Sequence, residues 1–97
     1  MQKITEITTQ DFFMRNLRYL RKSMSNRMSQ KSLARILNLP PYSIRNYELG
    51  RTFPNAHAAY VIAAYFHCTV EDLLTKDLER KRSFLYNSNI RNSEKEG

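Results

Sequence analysis

Two adjacent prolines, Pro40 and Pro41, interrupt a stretch that is otherwise rich in helix formers, RILNLPPYSIRNYE at residues 35–48. A proline in a helix interior costs roughly 3 kcal/mol, because it removes a backbone hydrogen bond and clashes with the preceding turn. A single helix therefore cannot run through this stretch. The residue before a proline avoids the α region, whereas a proline fits the first turn of a helix. The pair predicts a short, stiff connection between two helices, with Pro41 in the first turn of the second.

The residues before this connection predict two helices. Thr9 is the expected N-cap of the first helix, and Ser29 that of the second. Asn38 is expected to end the second helix, because Asn tolerates left-handed backbone better than most residues. The apolar face of the first helix is spaced by four, three and four residues, as an amphipathic helix requires. Its members are Phe13, Leu17, Leu20 and Met24.

Three further helices are expected after the prolines. The third covers about 41–49, with Ile44 and Tyr47 facing the core, and Gly50 ends it. Asn55 and Thr69 are the expected N-caps of the fourth and fifth helices.

The fold class expected from these patterns is all-α, because no long alternation of β-branched residues appears. The domain is expected to cover residues 9–75. An N-terminal arm at 1–8 precedes it, and a C-terminal extension at 76–97 follows it.

The composition disfavours several classes of function. Cys68 is the only cysteine, so no internal disulfide is expected, and this usage fits a reducing, cytoplasmic setting. No apolar run approaches 18 residues, so no secretory signal or membrane span is expected. His57 and His67 have no cysteine or carboxylate partners at metal-ligand spacing. No triad, catalytic carboxylate pair or Gly-rich phosphate loop is present. We therefore expect no metal, no cofactor and no enzymatic activity.

The positive charge of the chain is concentrated in one segment. The formal net charge is +7, and residues 11–51 carry nine basic and two acidic residues, whereas residues 1–10 and 52–97 are each balanced. A concentrated positive field indicates a polyanionic partner, either nucleic acid or an anionic membrane surface. The basic residues do not form one amphipathic helix with an exposed apolar face, which disfavours a membrane. A solubilising surface is the alternative explanation for the basicity alone.

Two helices joined by a tight turn, within a small basic all-α domain, are typical of a helix-turn-helix. The segment at 29–54, SQKSLARILNLPPYSIRNYELGRTFP, resembles the helix-turn-helix of the Cro/cI-like (XRE) family of phage repressors. The matching residues in this segment are Ser29, Gln30, Leu33, Ala34, Leu37, Leu39, Ile44, Glu48, Gly50, Arg51 and Pro54. The resemblance covers roughly residues 12–75 and implies a compact five-helix, lambda-repressor-like domain.

The resemblance also implies that the third helix enters the major groove of double-stranded DNA, which is wide enough for one α-helix. The residues implied to face the base edges are Pro41, Tyr42, Ser43, Arg45 and Asn46. Asn46 is suited to pair with an adenine, and Tyr42 to contact a thymine methyl group or a phosphate. Arg45 is suited to read a guanine or, in preference, to hold a phosphate. The residues implied to contact phosphates are Gln30, Lys31, Arg35 and Arg51.

The chain departs from the family pattern at several positions. Asn38 stands where the family usually has Gly, and His67 where a Gly separates the last two helices. Pro40 stands where the family has Ser or Thr. Pro40 has no side chain that caps a helix, so the first turn of the third helix is expected to lack a cap unless Ser43 or a DNA phosphate supplies it.

A small insertion near Ser25-Asn26 aligns Arg21 with an arginine that, in the family, pairs with a glutamate in the third helix. The matching glutamate here is Glu48. The resemblance therefore implies an ion pair between Arg21 and Glu48, in or beside the core. A solvated Glu48 is the alternative.

The expected function is that of a sequence-specific transcriptional regulator, a repressor that binds DNA as a homodimer, since two-fold protein symmetry matches a palindromic operator. The candidates for the dimer contact are Leu74, Leu78, Phe84 and Leu85. Alternatively, Phe84 and Leu85 fold back on their own core.

The alternative function is an antitoxin-like or other protein-interaction module that binds a protein partner through residues 76–97, with DNA binding secondary. Tyr60 and Tyr65 are expected in the core or an interface.

Overall fold

The structure is a computed structural model that describes residues 8–24 and 28–80. These residues form five helices: α1 (Thr9–Lys22), α2 (Gln30–Ile36), α3 (Ser43–Glu48), α4 (Ala56–Tyr65) and α5 (Val70–Thr75). A further helical segment begins at Leu78. The described parts of the chain contain no β-strand. The all-α fold predicted from the sequence is therefore confirmed.

The N-terminus of α1 is fixed by a reciprocal pair of hydrogen bonds. The Thr8 hydroxyl accepts from the backbone N–H of Asp11 at 3.2 Å, and the Asp11 carboxylate accepts from the backbone N–H of Thr8 at 3.2 Å. The prediction of Thr9 as the N-cap is wrong by one residue. Asp11 lies three positions after Thr8, which is the spacing that a capping box requires.

Three of the predicted N-caps are confirmed by the structure. Ser29 accepts from the backbone N–H of Ser32 at 3.0 Å at the start of α2. Asn55 caps α4 through a 2.8 Å bond from the N–H of Ala58. Thr69 caps α5 in the same way. Each cap satisfies a backbone N–H that lacks a partner within its helix.

The connection at the two prolines is a tight turn, and α3 starts later than about residue 41. The backbone N–H of Ser43 donates to the carbonyl oxygen of Pro40 at 3.0 Å. Tyr42 has φ −102° and ψ 9°, the conformation of the third residue of a type I turn, in which proline is favoured at the second position. Pro41 therefore lies in the turn, and its predicted place in the first turn of the helix is wrong. Asn38, at φ 59°, ends the preceding segment in left-handed backbone, as predicted.

The core is built around α1, which packs against α3 and α5, while α2 packs against α3 and α4 against α5. The rings of Tyr47 and Phe53 meet the ring of Phe13 edge-on, at centroid distances of 5.6 and 5.8 Å. The buried core residues are Phe13, Leu17, Leu20, Leu33, Ala34, Leu37, Ile44, Tyr47, Ala58, Ile62, Ala63, Phe66 and Leu73. Tyr60 is 65% exposed and is not a core residue of this chain.

A buried polar residue, Asn16, joins α1 to the end of α5. Its side-chain N–H groups donate to the carbonyl oxygens of Leu73 at 2.8 Å and Lys76 at 2.7 Å. Its side-chain oxygen accepts from the backbone N–H of Leu78 at 3.1 Å. Asn16 thus satisfies backbone groups that the end of a helix leaves without partners. Sequence reasoning did not single out this residue.

Candidate nucleic-acid interface

The last residue of α3, Glu48, is buried and anchors the helix to the two helices before it. Arg21 on α1 donates from Nε to Oε2 of Glu48 at 2.7 Å and from Nη2 to Oε1 at 2.9 Å. The structure thus contains the ion pair that the family resemblance implied. The side chains of Arg21 and Glu48 are 12% and 1% exposed. A carboxylate this deeply buried requires such donors, because its desolvation is otherwise uncompensated.

Arg21 also reaches the segment before α2. Its Nη1 donates to the carbonyl oxygen of Met28 at 3.0 Å. One guanidinium group therefore connects α1, the start of α2 and the end of α3. This arrangement fixes the position of α3 relative to the rest of the domain.

Gln30, the first residue of α2, contributes to the same network. Its Nε2 donates to Oε1 of Glu48 at 2.9 Å. The amide nitrogen of glutamine carries two N–H donors, so one remains for an acceptor outside the domain. Gln30 thus positions α3, and it retains a donor for the phosphate contact expected of it.

The outer face of α3 carries side chains that make few contacts with the rest of the domain. Ile44 and Tyr47 point into the core, as predicted from their spacing. Tyr42 is 59% exposed, Arg45 is exposed, and Asn46 is half-buried. Within the parts of the chain that are described, the Asn46 side chain has no hydrogen-bond partner, whereas the amides of Gln10, Asn16, Gln30 and Asn55 are engaged.

α3 has no side-chain cap at its N-terminus, as expected from the proline at position 40. Ser43 does not supply one, since no side chain makes a capping hydrogen bond at this N-terminus, and the backbone N–H of Ser43 bonds to Pro40. The first turn of α3 is therefore held by the proline turn rather than by a capping side chain.

The loop after α3 folds back beside this outer face. Gly50, at φ 76°, ends α3 as predicted, and its carbonyl oxygen accepts from Gln10 Nε2 at 3.1 Å. The loop and the proline turn enclose a shallow concavity of about 370 Å³. Its lining residues are Pro40, Pro41, Tyr42, Ser43, Asn46, Tyr47, Thr52, Phe53 and Asn55.

Thr52 and Phe53 are residues of this surface that sequence reasoning did not identify. Phe53 is 47% exposed, and its ring rests against Phe13 of the core. In the sequence, the only indication of their role was their position shortly after Gly50, the residue that ends α3. A loop that leaves the end of a short helix in left-handed backbone turns back along that helix.

The cations implied to contact phosphates are exposed and unneutralised. Lys31, Arg35, Arg45 and Arg51 are exposed. None of their side chains forms an ion pair with a residue that the structure describes, whereas Arg15 pairs with Asp77 and Lys76 with Asp72. Unpaired cations leave a positive potential that attracts a polyanion.

The residues expected to form a dimer contact are only partly described. Leu74 and Leu78 are half-buried and pack against the core of their own chain. Phe84 and Leu85 lie outside the described residues, as does most of the extension at 76–97.

These features define a class of protein, the small all-α domain with two helices joined by a tight turn. The second of the two helices is held with one face outward. A family model described as "Helix-turn-helix" matches residues 17–73, more than half of the chain. The chain belongs to this family, of the XRE type. It is therefore a DNA-binding regulator of that type, with double-stranded DNA as its partner. No curated protein and no solved structure matches the chain.

The described residues offer neither a membrane span nor a metal site. No helix in residues 8–24 or 28–80 is long and apolar enough to cross a membrane. The same residues contain no group of three or more His, Cys, Asp and Glu side chains that could hold a metal ion.

Proposed function

We propose that the protein is a sequence-specific transcriptional repressor that reads base edges in the major groove with α3. The observation that carries this proposal is the half-buried, unpartnered amide of Asn46 on the outer face of α3. An amide presents a donor and an acceptor side by side, which match N7 and the N6 amino group of adenine in the major groove. No buried side-chain nitrogen or oxygen of the described residues lacks a hydrogen-bond partner, so the Asn46 amide is open to solvent and can be reached by a ligand.

The surroundings of Asn46 support a groove-facing role. Arg45 is exposed on the same helix, Ser43 lies at its start, and the exposed Tyr42 precedes it as the N-cap residue. Arg45 is positioned to hold a phosphate or to read a guanine. The buried network of Arg21, Gln30 and Glu48 makes the outward face of α3 rigid, and rigid placement of contact residues is what sequence discrimination requires.

Phosphate contacts supply most of the affinity in this proposal. Lys31, Arg35 and Arg51 carry charges that the described residues do not neutralise. Such contacts fix the register of the protein on the duplex without reading its sequence.

We further propose that two copies bind one operator and repress by occupying it. A single short helix contacts too few base pairs to select one site in a genome, and a dimer doubles the number of bases that are read. Leu74 and Leu78, with Phe84 and Leu85 of the extension, remain the candidates for the contact between copies.

The experiment is a selection of random duplex DNA by the purified protein, followed by titration of the enriched duplex and a scrambled duplex at two salt concentrations. Enrichment of a palindrome bound at least ~10³-fold more tightly than scrambled DNA is the expected result. A reporter under control of that palindrome then gives the sign of regulation, and repression is expected. Equal binding to both duplexes, steeply lost with salt, would contradict sequence reading. It would favour the protein-interaction alternative, which a pull-down through residues 76–97 then tests.

A further inference from the structure

The concavity beside α3 exposes several apolar side chains. Tyr42 and Phe53, at 59% and 47% exposure, both line it, together with the exposed Pro40 and Pro41. A single exposed aromatic residue on a protein surface needs no explanation. Here two aromatic rings and two prolines line one concavity that also contains polar side chains, a combination typical of binding sites.

Phe53 occupies this surface in a fixed position. Its ring meets the core residue Phe13 edge-on at 5.8 Å, so the core supports one part of the ring while about half of the side chain stays exposed. Phe53 lies outside α3, in the loop that follows Gly50, so its placement does not depend on the helix alone. The exposed part of its ring forms an apolar wall of the concavity that the Asn46 side chain also lines.

The major groove offers few partners for an apolar wall. The exposed edges of adenine, guanine and cytosine carry hydrogen-bond donors and acceptors but no methyl group, whereas thymine carries a methyl group at C5. Burial of apolar surface against that methyl group is favourable, while burial against a polar base edge or a phosphate leaves polar groups without partners.

We propose that this concavity reads the C5 methyl group of a thymine, with Phe53 as a specificity-determining residue contributed from outside α3. Asn46 reads the adenine of the same or the neighbouring base pair. This inference rests on the proposed function, because it assumes that α3 enters the major groove. 5-Methylcytosine carries the same methyl group, but thymine is the assigned ligand because an Asn amide in the same concavity matches adenine.

The probe for the test is the duplex that the wild-type protein enriches from a random pool. Each thymine in that duplex is replaced in turn by deoxyuridine, which lacks the methyl group and keeps the base pairing. One position in each half-site is expected to lose affinity about fourfold, the fold-change that corresponds to the burial of one methyl group. This measurement uses the wild-type protein and does not depend on the folding of any variant.

The variant Phe53→Ala tests whether Phe53 is the residue that detects the loss of the thymine methyl group. The variant is expected to bind the thymine and deoxyuridine duplexes with equal affinity, after circular dichroism has shown that it is folded. The matched control is Tyr60→Ala, which removes an aromatic ring that is 65% exposed on α4 and does not line the concavity. Tyr60→Ala should retain the full deoxyuridine effect.

Each other outcome overturns a stated part of the proposal. If a sequence is enriched but no thymine responds to loss of its methyl group, the methyl-reading inference is wrong and the proposed function stands. If folded Phe53→Ala retains the deoxyuridine effect, Phe53 is not the reader. If a 5-methylcytosine–guanine pair replaces the responsive pair without loss, the assignment to thymine is wrong. If no sequence is enriched, the proposed function and this inference fail together.

Discussion

The side chain of Asn16 on α1 donates a 2.8 Å hydrogen bond to the carbonyl oxygen of Leu73 on α5, across 57 positions of sequence. The same side chain bonds Lys76 and Leu78, so one asparagine holds the end of α5 and the chain beyond it against α1. Asn16 is 2% exposed, so its side chain makes these bonds away from bulk solvent.

Asn16→Ala is therefore expected to lower the free energy of unfolding by about 2–4 kcal/mol, because it leaves buried backbone groups without partners. Urea unfolding followed by circular dichroism measures the change. Asn46→Ala is the matched control, since it removes an asparagine amide without a partner among the described residues, and its effect should stay within about 0.5 kcal/mol. Equal effects of the two substitutions would contradict the assigned role of Asn16.

The ion pair of Arg21 and Glu48 predicts strong coupling between the two side chains. Arg21→Met should destabilise the fold by about 3–5 kcal/mol, because it leaves a buried carboxylate with too few donors. The double substitution Arg21→Met with Glu48→Met should recover much of that loss, since a buried pair replaced by apolar residues of similar volume is often neutral. A double-mutant cycle in urea gives the coupling energy, and strictly additive effects would show that the pair is not an energetic unit.

The fold was predictable from the sequence because its signals are local. The spacing of Phe13, Leu17 and Leu20 defines the inward face of α1, and the residues that cap α2, α4 and α5 lie next to the helices they start. The errors are equally local. Thr8 and Thr9 are both able to cap α1, and only the distance to Asp11 distinguishes them. Pro41 fits both a helical first turn and a type I turn, and the sequence does not choose between them.

The site was predictable only in part. The family pattern led to Glu48 through the matching residues around it, and to Arg21 once an insertion near Ser25-Asn26 was allowed for. Asn16 was missed because its partners are backbone groups of residues 73–78, which no pattern of side chains reveals. Phe53 was missed because it belongs to a loop, and its position depends on how that loop packs against Phe13.

Asn46→Ala is expected to relax sequence preference at one base position of each half-site. The loss for the preferred base should be about 1–3 kcal/mol, the usual value for a two-bond contact between a side chain and a base. Competition titrations against duplexes that vary at each position measure it. Gln30→Ala provides the contrast, because the loss of a phosphate contact weakens binding to all sequences alike. An unchanged base preference in Asn46→Ala would count against the proposed reading of adenine.

Arg51→Ala is expected to weaken binding to preferred and scrambled DNA equally. If Arg51 neutralises one phosphate, the slope of log affinity against log salt should become shallower by about 0.9. Lys76→Ala is the matched control, because Lys76 lies after α5 and is paired with Asp72 at 2.9 Å. An Arg51→Ala slope equal to that of the wild type would show that Arg51 does not contact a phosphate.

The pair of Asp72 and Lys76 predicts a pH dependence of stability. The hydrogen bond from Lys76 lowers the pKa of Asp72 below its ordinary value of 3.8, and the hydrogen bond to Asp72 raises the pKa of Lys76 above 10.5. A carboxyl group with a lowered pKa in the folded state stabilises the fold above its ordinary pKa, and this contribution is lost as pH falls through the folded value. An amine with a raised pKa contributes below its ordinary value, and this contribution is lost as pH rises through the folded one.

The stability difference between the wild type and Lys76→Met should therefore stay constant from about pH 5 to pH 9 and shrink at pH values below the ordinary pKa of Asp72. Thermal unfolding midpoints of both proteins, measured across this range and at about pH 2.5, test the expectation. Asp72→Asn is the control, because it keeps the side-chain shape and removes the titrating group. Lys76→Met in the Asp72→Asn background should show no change in the difference at acid pH. A difference that persists undiminished at about pH 2.5 would mean that Lys76 acts through packing rather than through its bond to Asp72.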